Sequence, residues 1–213
     1  EVIPDRIEAG TFLIAAAATL SYITISPVIP AHLSSLLNKL KECGSKIRIK
    51  NNSISIKTEK IKAVNIETAP FPGFPTDLQA PFTALMLKAS GKAIIKETIF
   101  EDRMNHIELL NKMGASVKLE NNIAIVSGVK RLSGRNLKGS DLRSTAAIVI
   151  AALSADNTSL IEGLEHLDRG YEEFECKLKI LGANIQRDLT KNFLDNPYNN
   201  GYRTNHVRNI YAA

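Results

Sequence analysis

Pro72-Gly-Phe-Pro-Thr-Asp-Leu-Gln-Ala80 is the stretch from which the rest of the chain can be read. Two prolines and a glycine break both helix and continuous strand, so the chain turns here. Thr76 and Asp77 are both capable helix N-caps. Behind them Leu78-Gln-Ala-Pro-Phe-Thr-Ala-Leu-Met-Leu87 reads as an apolar helix. Pro81 lies near its start, where a missing N–H loses no intrahelical bond. A carboxylate is thus set at a helix N-terminus behind a stiff loop. Taken alone, that carboxylate is a cap.

Working outward, the same order of parts occurs three times, and such a repeat decides the fold. Each copy opens with a cap and an acid: Pro4-Asp5-Arg6, Thr76-Asp77-Leu78 and Ser140-Asp141-Leu142. An alanine-rich apolar helix follows, at 11–19, 80–90 and 144–154. A short β segment comes next: Tyr22–Ile25, Ala93–Lys96 and Ser159–Ile161. Then an amphipathic helix ends on Gly44, Gly114 or Gly182, each the expected left-handed C′ residue. A strand starts at once at Lys46, Ser116 or Asn184. In the first two copies an Asn-Asn pair, Asn51-Asn52 or Asn121-Asn122, turns the chain into a further hairpin strand.

The acids at 5, 77 and 141 are 72 and 64 residues apart. The pattern therefore predicts an α/β (α+β) fold of three βαβαββ repeats, at about 1–60, 61–128 and 129–188. The first helix of each unit is apolar nearly all round, so it is expected inside, with small sheets outside. The first unit is expected to lack most of its opening strand, and the third to lack its hairpin. Residues 189–213 are Asn-rich and polar and read as a flexible tail outside the pattern.

The chain has 213 residues, 44% of them hydrophobic, and a net charge of +5. Its basic residues form no block and no aromatic interleaving, which argues against nucleic acid. An anionic small molecule bound by separate arginines explains the charge as well. Cys43 and Cys176 are expected as two buried, reduced thiols. No apolar run reaches the roughly 18 residues of a membrane span and no signal peptide is evident, so a soluble cytoplasmic protein is expected.

Acids at equivalent places in three units are expected to converge near a pseudo-threefold axis. Arginines accompany them: Arg6, Arg103, Arg143 and Arg169. A guanidinium binds carboxylate and phosphate in a fork, so these arginines and the helix N-termini suit a doubly anionic ligand. The alternative pairs each arginine with a neighbouring acid, Asp102 with Arg103 and Asp168 with Arg169. His32, His106, His166 and His206 show no metal spacing. His106 and His166 read as structural. There is no Gly-rich phosphate loop and no nucleophile elbow.

At Val2–Glu8, Phe74–Ala80, Glu97–Arg103, Asp141–Arg143 and His166–Tyr171 the sequence resembles the UDP-N-acetylglucosamine 1-carboxyvinyltransferase family of enolpyruvyl transferases. The resemblance runs from the first residue to about Arg187. It implies one of two similar inside-out α/β barrel domains, with the site in the cleft between them. In the family this domain is completed by the protein's own N-terminal segment. The N-terminal lysine that contacts phosphoenolpyruvate, the arginine-bearing part of the other domain and the mobile loop with the acid cysteine are all expected to be missing here. Neither Cys43 nor Cys176 inherits the cysteine's role.

The resemblance further implies a reaction. A sugar hydroxyl adds to C2 of phosphoenolpyruvate, C3 takes a proton, and phosphate then leaves. Asp77 matches the proton-accepting aspartate. Arg143 and Arg169 match arginines around the phosphoenolpyruvate carboxylate and phosphate. Arg103 matches a cleft arginine, and the Ile99 backbone matches a contact to UDP-N-acetylglucosamine. No metal or organic cofactor is implied. A separate chain carrying the missing domain is a possible partner; nucleic acid and membrane are not expected. Two alternatives stand beside this reading: a non-catalytic binding module, and half of a 5-enolpyruvylshikimate-3-phosphate synthase-like enzyme.

Overall fold

In the computed structural model, residues 2–188 and the backbone of 209–212 are described. The first unit runs α1 (Arg6–Ala18), β1 (Tyr22–Ile25), α2 (Ser34–Glu42), β2 (Lys46–Lys50) and β3 (Ser53–Lys57). The second runs β4 (Ile66–Glu67), α3 (Gln79–Met86), β5 (Lys92–Lys96), α4 (His106–Lys112), β6 (Ser116–Glu120) and β7 (Ile123–Ser127). The third runs β8 (Asn136–Lys138), α5 (Leu142–Ala152), β9 (Ser159–Glu162), α6 (Leu164–Leu167), α7 (Phe174–Ile180), β10 (Ile185–Asp188) and β11 (Asn209–Ala212).

Three separate sheets result, ordered β1-β3-β2, β4-β5-β7-β6 and β8-β9-β11-β10. Each wraps one of the apolar helices α1, α3 and α5, which contact one another at the centre. All eight residues of α3 are buried, as are Ala9–Ala18 of α1 and Ser144–Ala152 of α5. Alanine predominates in α1 because small side chains let helices approach while large ones from neighbours fill the gaps. The second helices are amphipathic, and each ends on a glycine at positive φ: Gly44 (+104°), Gly114 (+88°) and Gly182 (+95°). Asn51 and Asn121 also take positive φ at the two hairpin turns. Among the described residues no helix is long and apolar enough to cross a membrane.

Several expectations differ from the structure. The helix α3 stops at Met86 instead of reaching residue 90. Its last turn tightens, Leu87, Lys88 and Ala89 each bonding three residues back, before β5 begins. Cys43 is buried, but Cys176 is exposed, because α7 turns that position to the surface. The third unit does have its hairpin-position strand: β11 lies between β9 and β10, antiparallel to both, as β3 and β7 do in their sheets. The flexible tail was thus expected where 209–212 extend the pattern; 189–208 lie outside the described residues.

The first sheet has three strands and the others four. β4 and β8 run parallel to β5 and β9 on the edge away from the hairpin. The chain leading into each passes the C-terminal end of the preceding unit's second helix. Lys62 donates to the Cys43 carbonyl at 2.9 Å, and Ser133 to the Met113 carbonyl at 2.8 Å. By the same symmetry, a segment beside β1 would pass the carbonyl of Leu181. At that place lies a groove of about 270 Å³, lined by Phe12, Ala16, Ile23 and Leu153 from the core and by Leu178 and Leu181 of the third unit.

An edge of this kind takes an added strand. A peptide carrying the N-terminal segment of the enolpyruvyl transferase family, at about 100 times its Kd, is expected to stabilise the chain by about 2.7 kcal/mol, raising Tm by several degrees. Calorimetry showing no shift at saturating peptide would remove that segment as the occupant.

His106 opens α4 and is 1% exposed, with Nε2 unpartnered among the described residues. Burial lowers its pKa from 6.5 to about 4, against the opposing pull of the Asp141 carboxylate. The unfolded chain therefore takes the proton first as pH falls. Stability should be full above pH 6.5 and decline towards pH 4, by about 3 kcal/mol in all. His106→Asn is expected to flatten this stretch of a Tm-versus-pH curve; an unchanged slope would assign it to other groups.

Candidate active site

The loop Ala69–Pro75 delivers Thr76–Leu78 as one 3₁₀ turn ahead of α3. Asp5 and Asp141 behave as the sequence suggests. Asp5 caps α1 by accepting from the N–H groups of Ile7 (2.6 Å) and Glu8 (3.1 Å). Asp141 caps α5 by accepting from Arg143 and Ser144, both at 2.9 Å. Burial works against the Asp141 charge. Even so, the hydrogen bonds from the Ser144 hydroxyl, the two N–H groups and the Ser140 hydroxyl hold its carboxyl below the usual range. Asp77 departs from this pattern, because neither it nor Thr76 caps anything.

The Asp77 carboxylate instead receives two guanidinium groups. Arg103 Nη1 lies 2.9 Å from Oδ1 and Arg143 Nε 3.1 Å from the same oxygen. No described residue donates to Oδ2. The side chain is 33% exposed, while Arg143 is 16% exposed. Arg143 comes from the first turn of α5, so the third unit supplies one cation and the second supplies the other. The Arg143 Nη1 group also donates to the Tyr171 hydroxyl at 3.4 Å, and its guanidinium stands 5.9 Å from that ring. The Tyr171 hydroxyl in turn shares a 2.8 Å hydrogen bond with Thr11 on α1. The path Asp77–Arg143–Tyr171–Thr11 thus joins all three units. Burial raises the Tyr171 pKa, so the phenol stays protonated and keeps a proton to share.

Arg103 also donates to Thr76 Oγ1 at 3.0 Å and stacks on Phe100, its Cζ 4.2 Å from the ring centre. The neighbour pairs weighed from the sequence do not form. Arg103 turns away from Asp102 to Asp77, and Asp168 pairs at 2.6 Å with Arg187. Arg169 is exposed on the α6–α7 loop and makes no hydrogen bond or ion pair among the described residues. Arg6 covers the exposed ring of Phe71 at 5.1 Å. Ile99 is exposed at 37%, and its N–H donates to Glu97 Oε1 at 2.8 Å.

The structure therefore gathers Asp77, Arg103 and Arg143, and Glu97 ties the Ile99 loop to the turn that carries Asp77. Arg169 is bonded to none of them. Two participants carry no signal of their own in the sequence. Glu97 opens the matching stretch Glu97–Arg103, but as a single acid at a strand end it gives no sign there of what it bonds. Tyr171 sits in the matching stretch His166–Tyr171, but nothing there shows that its hydroxyl meets Arg143.

Residues 1–178 match the family described as EPSP synthase (3-phosphoshikimate 1-carboxyvinyltransferase). UDP-N-acetylglucosamine 1-carboxyvinyltransferase of Prochlorococcus marinus strain MIT 9312 is 64% identical over 214 residues, taking in 100% of this chain and 47% of that protein. The protein of the same description from strain MIT 9301 is 67% identical over 196 residues, 92% of this chain and 43% of its own length. The chain spans about half the length of the curated relatives it matches. The alignment with the MIT 9312 protein includes residues 189–213, which were expected to fall outside the resemblance. Among solved structures, the enolpyruvyl transferase NikO from Streptomyces tendae gives a TM-score of 0.76 at 25% identity, covering 85% of this chain and 43% of that one. An EPSP synthase from Acinetobacter baumannii gives 0.68 at 12% identity over 99% of this chain and 46% of its own, a likeness of fold alone. Three repeated units around buried helices, and a family match over most of the length, lead to one conclusion: the chain belongs to the EPSP synthase (3-phosphoshikimate 1-carboxyvinyltransferase) family.

Proposed function

We propose that this chain forms the proton-accepting wall of a site that transfers the enolpyruvyl group of phosphoenolpyruvate to the 3-hydroxyl of UDP-N-acetylglucosamine, a step of peptidoglycan synthesis in the cytoplasm. The observation that carries the reading is Asp77, whose Oδ1 is fixed by two arginines while no described residue donates to Oδ2 and the side chain is one-third exposed. A general base needs that combination: a rigidly aimed carboxylate and an unengaged lone pair within reach of a hydroxyl.

In this reading Oδ2 takes the hydroxyl proton as the sugar oxygen bonds to C2 of phosphoenolpyruvate and C3 gains a proton. Loss of a C3 proton and departure of phosphate from C2 then restore the double bond. Arg143 and Arg169 offset the charge on the carboxylate and phosphate, which is where fixed cations lower a barrier. Arg169 has no partner among the described residues and is exposed, so it can reach a ligand without breaking an ion pair. Arg103 holds Asp77, and the Ile99 backbone meets the sugar nucleotide. The opposing wall would come from a complementary domain, on the same or a separate chain.

Phosphate release is the measurement that tests this. The chain alone is expected to show none, and the chain mixed with the family's complementary domain is expected to turn over. Asp77→Asn keeps the acceptor for both arginines but loses the base, so the complemented rate should fall about 10²–10⁴-fold with Tm little changed. A variant as fast as wild type would move the base elsewhere. A complemented wild type that binds UDP-N-acetylglucosamine without turnover would favour the binding-module reading.

A further inference from the structure

Glu97 is 1% exposed, at the end of β5, and no arginine or lysine pairs with it among the described residues. Burying a carboxylate without a counter-charge is costly unless hydrogen bonds replace its water. Here they do, from three segments of chain. Oε1 accepts from Thr68 Oγ1 (2.8 Å), Ile99 N (2.8 Å) and Phe100 N (3.3 Å). Oε2 accepts from Thr76 Oγ1 at 2.8 Å. Its backbone is held as well: its N–H donates to the Asn122 carbonyl at 2.9 Å, and its carbonyl accepts from Asn122 Nδ2 at 2.5 Å.

The two oxygens lead in different directions. Through Oε2, Thr76 is oriented so that its hydroxyl oxygen receives Arg103 Nη1, the same nitrogen that donates to Asp77. Through Oε1, the Ile99–Phe100 backbone is folded over the carboxylate, and Phe100 becomes the platform for Arg103. We propose that Glu97 is the positioning residue of the site: one buried carboxylate fixes the Asp77–Arg103 pair through Thr76 and the Ile99 loop directly, and so sets the distance between proton acceptor and sugar-nucleotide contact. The catalytic part of this rests on the function proposed above. Glu97 itself touches no substrate; it acts through Thr76 and the two N–H groups.

The two branches can be cut separately. Thr76→Val removes the hydroxyl between Glu97 and Arg103 and leaves the Ile99 branch whole. Glu97→Gln keeps one acceptor oxygen and the shape, but turns an NH₂ group towards a hydroxyl that must donate. In the chain alone, two-dimensional NMR of the Ile99 and Phe100 amides and the Arg103 side-chain N–H reads the geometry without any activity. Thr76→Val is expected to move only the Arg103 signal. Glu97→Gln is expected to move all three and to speed hydrogen exchange at Ile99 at least tenfold. In the complemented protein, Thr76→Val should lower kcat about tenfold with KM for UDP-N-acetylglucosamine unchanged, while Glu97→Gln should lower kcat and raise KM together.

Separate results would overturn the two ideas. If the wild type shows no turnover but the NMR pattern appears as stated, the enolpyruvyl-transfer reading fails and Glu97 still sets the geometry. If the wild type turns over and Glu97→Gln folds without moving the Ile99 amide or the kcat–KM pair, Glu97 is a buried acid with no positioning role. Should Glu97→Gln fail to fold, Thr76→Val decides alone: an unmoved Arg103 signal overturns the proposal.

Discussion

The packing of α1, α3 and α5 against one another is the constraint on which everything else depends. A helix buried on every side has no amphipathic face to orient it, so its rotation must be fixed by neighbours. Here the neighbours are the other two helices and one sheet apiece. Gly10 shows how close the approach is: a Cβ there would lie 2.6 Å from Leu78 Cδ1, the residue just behind Asp77. Because the helix starts meet at one end of this bundle, side chains from different units come within hydrogen-bond range there. Arg143 can reach both Asp77 and Tyr171 only because α5 begins beside the turn leading into α3. The site is in this sense a by-product of helix rotation.

Much of the scaffold was legible because it recurs. The glycines at 44, 114 and 182 and the asparagine pairs mark the same structural events in successive units, and a repeated signal outweighs the noise in any single one. β11 was not legible. It follows a long polar stretch, and its pairing with both β9 and β10 is a property of three distant segments. Cys176 was misread because a helical pattern of seven residues leaves its facing underdetermined.

The site was legible in its members and not in their bonds. Asp5, Asp77 and Asp141 occupy matching positions, yet two are caps and one is an ion-pair centre. That difference comes from Arg103 and Arg143, 26 and 66 residues from Asp77, which sequence spacing alone could not bring together. Glu97 was hidden for a related reason. Its partners are a threonine 29 residues earlier, another 21 residues earlier and two amides of its own loop.

The strand end that carries Glu97 has counterparts in the other two sheets. Ile25 pairs with Ile54 as Ile95 pairs with Ala124, and Ile161 pairs with Leu137 as Ile95 pairs with Ile66. Two residues on from each stands Pro27, Glu97 or Gly163. Pro27 has no N–H to give, and the Asn52 carbonyl, counterpart of that of Asn122, takes its 2.8 Å bond from Val28 one residue on. Gly163 adopts φ +83°, and a Cβ there would fall 2.4 Å from the Gly139 carbonyl oxygen. In the third unit backbone sterics close the equivalent position, and in the first a proline offsets the chain by one residue. The third unit would have to regain room in its main chain, and not merely exchange a side chain, before it could host the same acid.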